Sequence, residues 1–324
     1  MELQEVVSAY EKDLAVVETY LEKEHASYVE LIPEISRHII MSGGKRIRPL
    51  LLMISSDLFG YEGDVHYPLA AVLEFIHTAS LLHDDVIDHA NIRRGKAAAN
   101  RLWGNAASVL VGDYLYAKAF KLLTESSNMA AQKLVSTATT TMVEGETIQL
   151  VKSGDVTITE EEYFSIIEKK TAILMATACA LGAVVAEAPS QSVDLMTEFG
   201  MKLGVAFQLT DDTLDYVGVE DEFGKTIGMD IREGKMTLPL IWSLRHCESS
   251  ERDRIGAIVA SKAAQDEEVL EIVRFIKKYN GINYALESAA RLVDGAKQCI
   301  ESMPESFARQ SLKILADHIL KRNL

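Results

Sequence analysis

The sequence predicts an all-α fold, and three observations carry that prediction. Apolar residues recur at spacings of three and four in nearly every segment long enough to form an element. No stretch sustains the period-two alternation, enriched in β-branched residues, of a half-buried strand. The six prolines (Pro33, Pro49, Pro68, Pro189, Pro239, Pro304) fall at or near the starts of periodic segments, where a missing N–H breaks no helix bond.

Taken in order, the pattern predicts helices over residues 7–21, 69–82, 106–123, 134–150, 163–185, 193–209, 238–244, 269–279 and 311–320. Gly60 after Leu58-Phe59 reads as a helix stop, and Thr159 with Glu162 makes a capping box ahead of the helix at 163. Residues 171–186, TAILMATACALGAVVA, carry no charge. That run is shorter than the about 20 residues of a spanning helix and rich in Ala and Gly, so it predicts a buried, closely packed helix. A chain of 324 residues, 48% hydrophobic, can bury a large core. No low-complexity linker, charge block or wider repeat divides it, which predicts one domain over residues 1–324.

The net charge, 33 − 48 = −15, argues against a nucleic-acid partner. Cys179, Cys247 and Cys299 are far apart, without metal-ligand or redox spacing, as expected of reduced thiols in a cytoplasmic protein. The first residues are amphipathic and acidic, unlike a signal peptide.

Chemistry is concentrated in two copies of Asp-Asp-x-x-Asp: Asp84-Asp85-Val86-Ile87-Asp88 and Asp211-Asp212-Thr213-Leu214-Asp215. Each follows an apolar run, residues 75–82 and 203–209, that reads as helix. Asp84 then stacks over Asp88, and Asp211 over Asp215. One Asp-Asp pair is commonly a cap or a solvated edge. Two carboxylate columns sharing one cavity are different, because a like-charge pair at about 4 Å costs about 4 kcal/mol at an effective dielectric of about 20. Hard divalent cations relieve that repulsion, and Mg²⁺ held by a few carboxylates completes its shell with water and phosphate oxygens. The pair therefore points to a phosphate-binding metal site. Six carboxylates and a diphosphate of about −3 sum to about −9, against +6 from three Mg²⁺, so cationic side chains should converge there as well. Ser42-Gly43-Gly44-Lys45-Arg46-Ile47-Arg48-Pro49, Arg93-Arg94-Gly95-Lys96, Lys169-Lys170-Thr171, Gly224-Lys225 and Gly234-Lys235 supply candidates. Arginine offers phosphate a planar fork and lysine a mobile point charge.

With these residues assembled, the chain resembles the trans (E-type) isoprenyl diphosphate synthases. Matching motifs run in order: Gly43-Gly44-Lys45-Arg46-Ile47-Arg48-Pro49, His77, Leu82-His83-Asp84-Asp85-Val86-Ile87-Asp88, Arg93-Arg94-Gly95, Lys170-Thr171, Phe207-Gln208-Leu209-Thr210-Asp211-Asp212 and Glu233-Gly234-Lys235-Met236-Thr237-Leu238-Pro239-Leu240. Residues 93–113 look like the bacterial long-chain members, the octaprenyl diphosphate synthase type. The resemblance implies the isoprenoid synthase fold, a helical bundle around a deep central cavity, assembled as a homodimer. It also implies three Mg²⁺, isopentenyl diphosphate and an allylic diphosphate, with farnesyl diphosphate as primer. Asp84, Asp88 and Asp211 would bind metal directly, with Asp85, Asp212 and Asp215 in support. Arg93, Lys170 and Lys235 would hold the allylic diphosphate, and Lys45, Arg48, His77 and Arg94 that of isopentenyl diphosphate. Thr171 and Gln208 would face the developing cation, and Lys225 would help close a lid. The product would serve as a quinone or other lipid side chain, unloaded by transient membrane contact.

Ala79 and Ser80 lie one turn before Asp84, where bulky aromatics would close the cavity. Within the family that the chain resembles, small residues there accompany products beyond twenty carbons, and with the long-chain look of residues 93–113 this implies a product of about C40, within about C35–C50, over a shorter farnesyl or geranylgeranyl chain; the alternative is that both merely allow close packing. Two rival functions remain. His83-Asp84 with His66 and His77 could build a histidine-aspartate metal phosphohydrolase, which leaves the second motif unexplained. A non-catalytic subunit of a heteromeric synthase would be expected to lose metal ligands, yet all six aspartates stand.

Overall fold

The computed structural model describes residues 2–44, 46–217 and 228–321; Lys45 and Lys225 lie outside them. The chain is helical nearly throughout: α1 (Leu3–Ala9), α2 (Glu11–Glu24), α3 (Leu31–Ile40), α4 (Ile47–Leu58), α5 (His66–Ile87), α6 (Ala99–Trp103), α7 (Asn105–Glu125), α8 (Met129–Lys152) and α9 (Glu160–Ile167). A π-helical turn, Glu168–Ala172, leads into α10 (Ile173–Val185), followed by α11 (Ser190–Val217), α12 (Met229–Arg232), α13 (Leu238–His246), α14 (Ser249–Ser261), α15 (Asp266–Lys278), α16 (Gly281–Cys299) and α17 (Phe307–Lys321). The strands among the described residues are β1 (Ile92–Arg93) and β2 (Lys96–Ala97), one antiparallel hairpin. The chain packs as two compact units.

The first unit comprises Met1–Thr139, Thr177–Thr197 and Met303–Leu312. Its axis is α5, on which Leu69, Val72, Leu73, Phe75, Ile76 and Ala79 are fully buried. A helix apolar on all sides must be covered on all sides, and α2, α4 and α7 cover this one. Gly112 of α7 permits the closest approach, since a Cβ there would collide with the His83 ring. Tyr10 divides the helix expected over residues 7–21 into α1 and α2, and its hydroxyl donates to Asp57 on α4. Gly60 ends α4 at φ +69°, as its position suggested.

The second unit comprises Thr140–Ala176, Glu198–Ser302 and Lys313–Leu324. Within it, α11 packs on the start of α10 without room for side chains. A Cβ on Gly200 would stand 2.6 Å from Ala176 Cα, and one on Gly204 2.5 Å from Ala172 Cα. The uncharged run is thus a buried, small-residue helix, and no described helix is long and apolar enough to cross a membrane. The helix expected over residues 163–185 is interrupted by the π-helical turn, an insertion that often marks functional sites. Thr159 and Glu162 form the reciprocal capping box that starts α9.

Candidate functional site

The first motif occupies the C-terminal end of α5, with Asp88 as its C-cap. Carboxylates there oppose the helix dipole and call for cations. Arg93 supplies one, donating from Nε and Nη2 to Asp85 Oδ1 at 2.8 and 2.5 Å. Asp85 is buried, and its backbone carbonyl accepts from Asn100 Nδ2 at 2.9 Å. Its Oδ1 anchors Arg93, and its Oδ2 is buried without a protein partner; Asp84 and Asp88 are half-buried.

Arg93 and Arg94 sit on the β1–β2 hairpin, whose two turn residues, Arg94 (φ 51°) and Gly95 (φ 75°), are both left-handed. That is the φ pattern of a tight two-residue hairpin, and it sends the two guanidinium groups to different partners. Arg94 donates to the Gly43 carbonyl. His77 is pushed well below the usual imidazole range, first by burial and then by Arg48, Arg94, Arg93 and Arg46. That direction favours a neutral imidazole, which can share a hydrogen bond without adding charge. Arg46 is committed elsewhere, to Glu18 and to buried Glu74. Ala79 is fully buried and Ser80 half-buried, its hydroxyl donating to the His77 carbonyl at 2.8 Å.

The second motif lies in the last two turns of α11, again at a negative helix end. Asp211 is half-buried. Asp212 accepts from Tyr163 Oη on Oδ2 and from Gln208 Nε2 on Oδ1, both at 2.6 Å. Thr171 Oγ1 donates to Gln208 Oε1 at 2.8 Å. Asp215 accepts from the backbone N–H groups of Met229 (3.2 Å) and Asp230 (3.0 Å), fastening the start of α12. Lys170, on the π-helical turn, pairs with Glu146 (2.5 Å) and donates to Gln149 (2.5 Å), while Lys235 pairs with Glu233 (2.5 Å).

Burial raises the Asp212 and Asp215 carboxyls, against the hydrogen bonds they accept and the pull of Lys235. Asp230 is pushed well above the usual carboxylate range by burial and then by Asp212 and Asp215; part of its surface stays accessible, but its neighbours crowd it. Lys235 lowers all three. Among the described residues no three His, Cys, Asp or Glu side chains form a ready metal cage.

The geometry disfavours the histidine-aspartate hydrolase. His83 turns to α7, reaching the Val109 carbonyl and Asp113, and His66 packs against Tyr61 and Tyr67. Tyr163, Asp230, Asn100, Glu146 and Gln149 were not anticipated from sequence. Tyr163 alone left a signal there, seven residues before Lys170 and so on its face of a regular helix.

The chain is similar to known proteins over its whole length. The polyprenyl synthetase family matches residues 29–276. The octaprenyl diphosphate synthase of Escherichia coli (strain K12) is 35% identical over 324 residues, 100% of both chains. The crystal structure of a decaprenyl diphosphate synthase from Rhodobacter capsulatus superposes with a TM-score of 0.95 at 36% identity, covering 99% of each chain. That of a polyprenyl synthase from Caulobacter crescentus CB15, complexed with calcium and isoprenyl diphosphate, also gives 0.95, at 37% identity, covering 100% of this chain and 98% of that one. The chain belongs to the polyprenyl synthetase family, and it is a prenyltransferase of the kind that elongates isoprenyl diphosphates.

Proposed function

We propose that the protein is a Mg²⁺-dependent trans-polyprenyl diphosphate synthase that condenses isopentenyl diphosphate head to tail onto an allylic diphosphate, with farnesyl diphosphate as primer. The observation that carries this reading is the pairing of each aspartate motif, at a negative helix end, with its own set of cations. The Caulobacter relative's complex with calcium and isoprenyl diphosphate supports it.

In this reading Asp84, Asp88 and Asp211 hold the metal ions, three per site. Bound Mg²⁺ would neutralise the diphosphate and assist its departure. Arg93, anchored on Asp85, and Lys170 and Lys235 orient the allylic diphosphate and take up charge as the C–O bond ionises. Arg48, Arg94 and neutral His77, with Lys45, hold the second diphosphate so that its alkene meets the allylic carbon. Thr171 and Gln208 face the cation with oxygen atoms, and the departing diphosphate accepts the lost proton. Lys225 is assigned to lid closure.

Small Ala79 and Ser80 leave room for a growing tail, and we assign a product of about C40, within about C35–C50. The relatives named for octaprenyl and decaprenyl products support a long chain. We assign the protein to the cytoplasm as a single-domain homodimer, with exposed Leu110 and Val109 of α7 as candidate contacts and transient membrane contact for unloading.

The test is incubation with farnesyl diphosphate, labelled isopentenyl diphosphate and Mg²⁺, followed by chromatography of the dephosphorylated products. A ladder ending near C40, abolished by Asp84→Ala, is expected. Label ending at fifteen or twenty carbons would overturn the long-chain assignment, and phosphate release without incorporation would overturn the synthase reading.

A further inference from the structure

We infer that Tyr163 and Asp212 form a positioning relay that holds Gln208 and Thr171 in place, and that Asp212 does not ligate metal. Both oxygens of Asp212 are already engaged by protein donors, Tyr163 Oη and Gln208 Nε2, each at 2.6 Å. Tyr163 is 3% exposed and Asp212 7%. The hydroxyl of a buried tyrosine needs a partner, and an acceptor-only carboxylate is a strong one.

The consequence lies at the far end of the network. The Gln208 amide could present either its oxygen or its N–H groups to Thr171. Asp212 accepts only, so it takes the Nε2 end and leaves Oε1 to accept from Thr171 at 2.8 Å. The relay thus keeps carbonyl and hydroxyl oxygens, rather than N–H groups, on the side away from Asp212. Oxygens held in advance stabilise positive charge developing nearby, whereas a rotating amide would have to reorganise first. The anchor is itself rigid: the Thr159–Glu162 capping box fixes the first turn of α9 immediately before Tyr163, and the π-helical turn follows.

This inference rests on the proposed prenyl transfer for its catalytic meaning, and its test has one arm that does not. By calorimetry, Mg²⁺ and inorganic diphosphate should bind Asp212→Asn within about twofold of the wild-type affinity, while Asp211→Asn binds about tenfold or more weakly. Comparable losses in both variants would make Asp212 a ligand and overturn the relay, whether or not the protein transfers prenyl groups. In the kinetic arm, Tyr163→Phe should lower kcat about tenfold while KM for both diphosphates and the half-saturating Mg²⁺ stay within about twofold. Asp212→Asn, whose amide can still accept from Gln208 and donate to the Tyr163 oxygen, should retain more kcat than Asp212→Ala. Effects of Tyr163→Phe and Gln208→Ala should be non-additive, because both break one network. A lower melting temperature in Tyr163→Phe with unchanged kcat would show a merely structural tyrosine and overturn the proposal. A wild-type protein that binds Mg²⁺ and diphosphate but incorporates no isopentenyl unit would instead overturn the proposed function.

Discussion

Asp85 and Asp212 occupy the same place in their two motifs, and the fold treats them alike. Each is buried and bonds a neighbouring side chain, Arg93 through Asp85 Oδ1 in one case and Gln208 in the other, with Asp85 Oδ2 left unpartnered. The middle aspartate of Asp-Asp-x-x-Asp points away from the column made by the outer two, because consecutive helical residues lie about 100° apart. Truncating Asp85 to Ala should free Arg93. A fully buried ion pair broken on one side loses about 3–5 kcal/mol, but Arg93 keeps 30% side-chain exposure and can rehydrate, so about 2 kcal/mol is expected. Titration with urea should register that loss, and KM for the allylic diphosphate should rise about tenfold as Arg93 loses its geometry. An unchanged KM would remove Arg93 from the binding set.

At the scale of elements, glycines decide how closely helices carry the reactive groups. Gly145 of α8 lies against the π-helical turn, where a Cβ would stand 2.6 Å from Lys170 N, and Gly204 of α11 lies against Ala172. Backbone cannot retreat as a flexible side chain can, so Gly204→Ala should overpack the contact and cost about 1–3 kcal/mol. Thermal melting measures the loss, and the shift of Ala172 should also weaken the adjoining Thr171–Gln208 bond, lowering kcat. Two of the elements the periodicity overlooked escaped it for different reasons. α4 is buried over Pro49 to Ser56 and shows no polar stripe, while α16 buries Ala285, Ser288, Ala289 and Ala296, small side chains that a hydrophobic pattern barely registers.

For the whole molecule, the net charge of −15 and the crowded carboxylates make stability depend on pH and on divalent cations. Asp230 binds its proton more tightly in the folded state than in the unfolded chain. Its contribution is therefore complete below the unfolded value of about 3.9 and is lost as pH rises through the raised folded value. Asp230→Asn abolishes that loss. Without metal at pH 8, the variant should melt about 2–4 °C above the wild type, the equivalent of about 1 kcal/mol, and the difference should shrink in acid. Added Mg²⁺ should stabilise the wild type more than the variant. Scanning calorimetry from pH 5 to pH 8, with and without Mg²⁺, measures both; equal melting temperatures throughout would show that Asp230 carries no charge strain.

Sequence alone determined the helical class, the placement of prolines and caps, and the identity of the acidic and cationic motifs. These depend on local periodicity, on backbone chemistry and on residue types that few other chemistries require together. It could also name His77, but not the push toward its neutral form, which comes from burial and from four arginines drawn from two segments. Only the tertiary structure decided that Asp85 and Asp212 hold side chains, that Arg46 belongs to Glu18 and Glu74, and that Tyr163, Asn100 and Asp230 take part. Each of those roles is a hydrogen bond, an ion pair or a like-charge contact set by distance in space. A linear spacing cannot show which of a carboxylate's possible partners the packed helices bring within 3 Å.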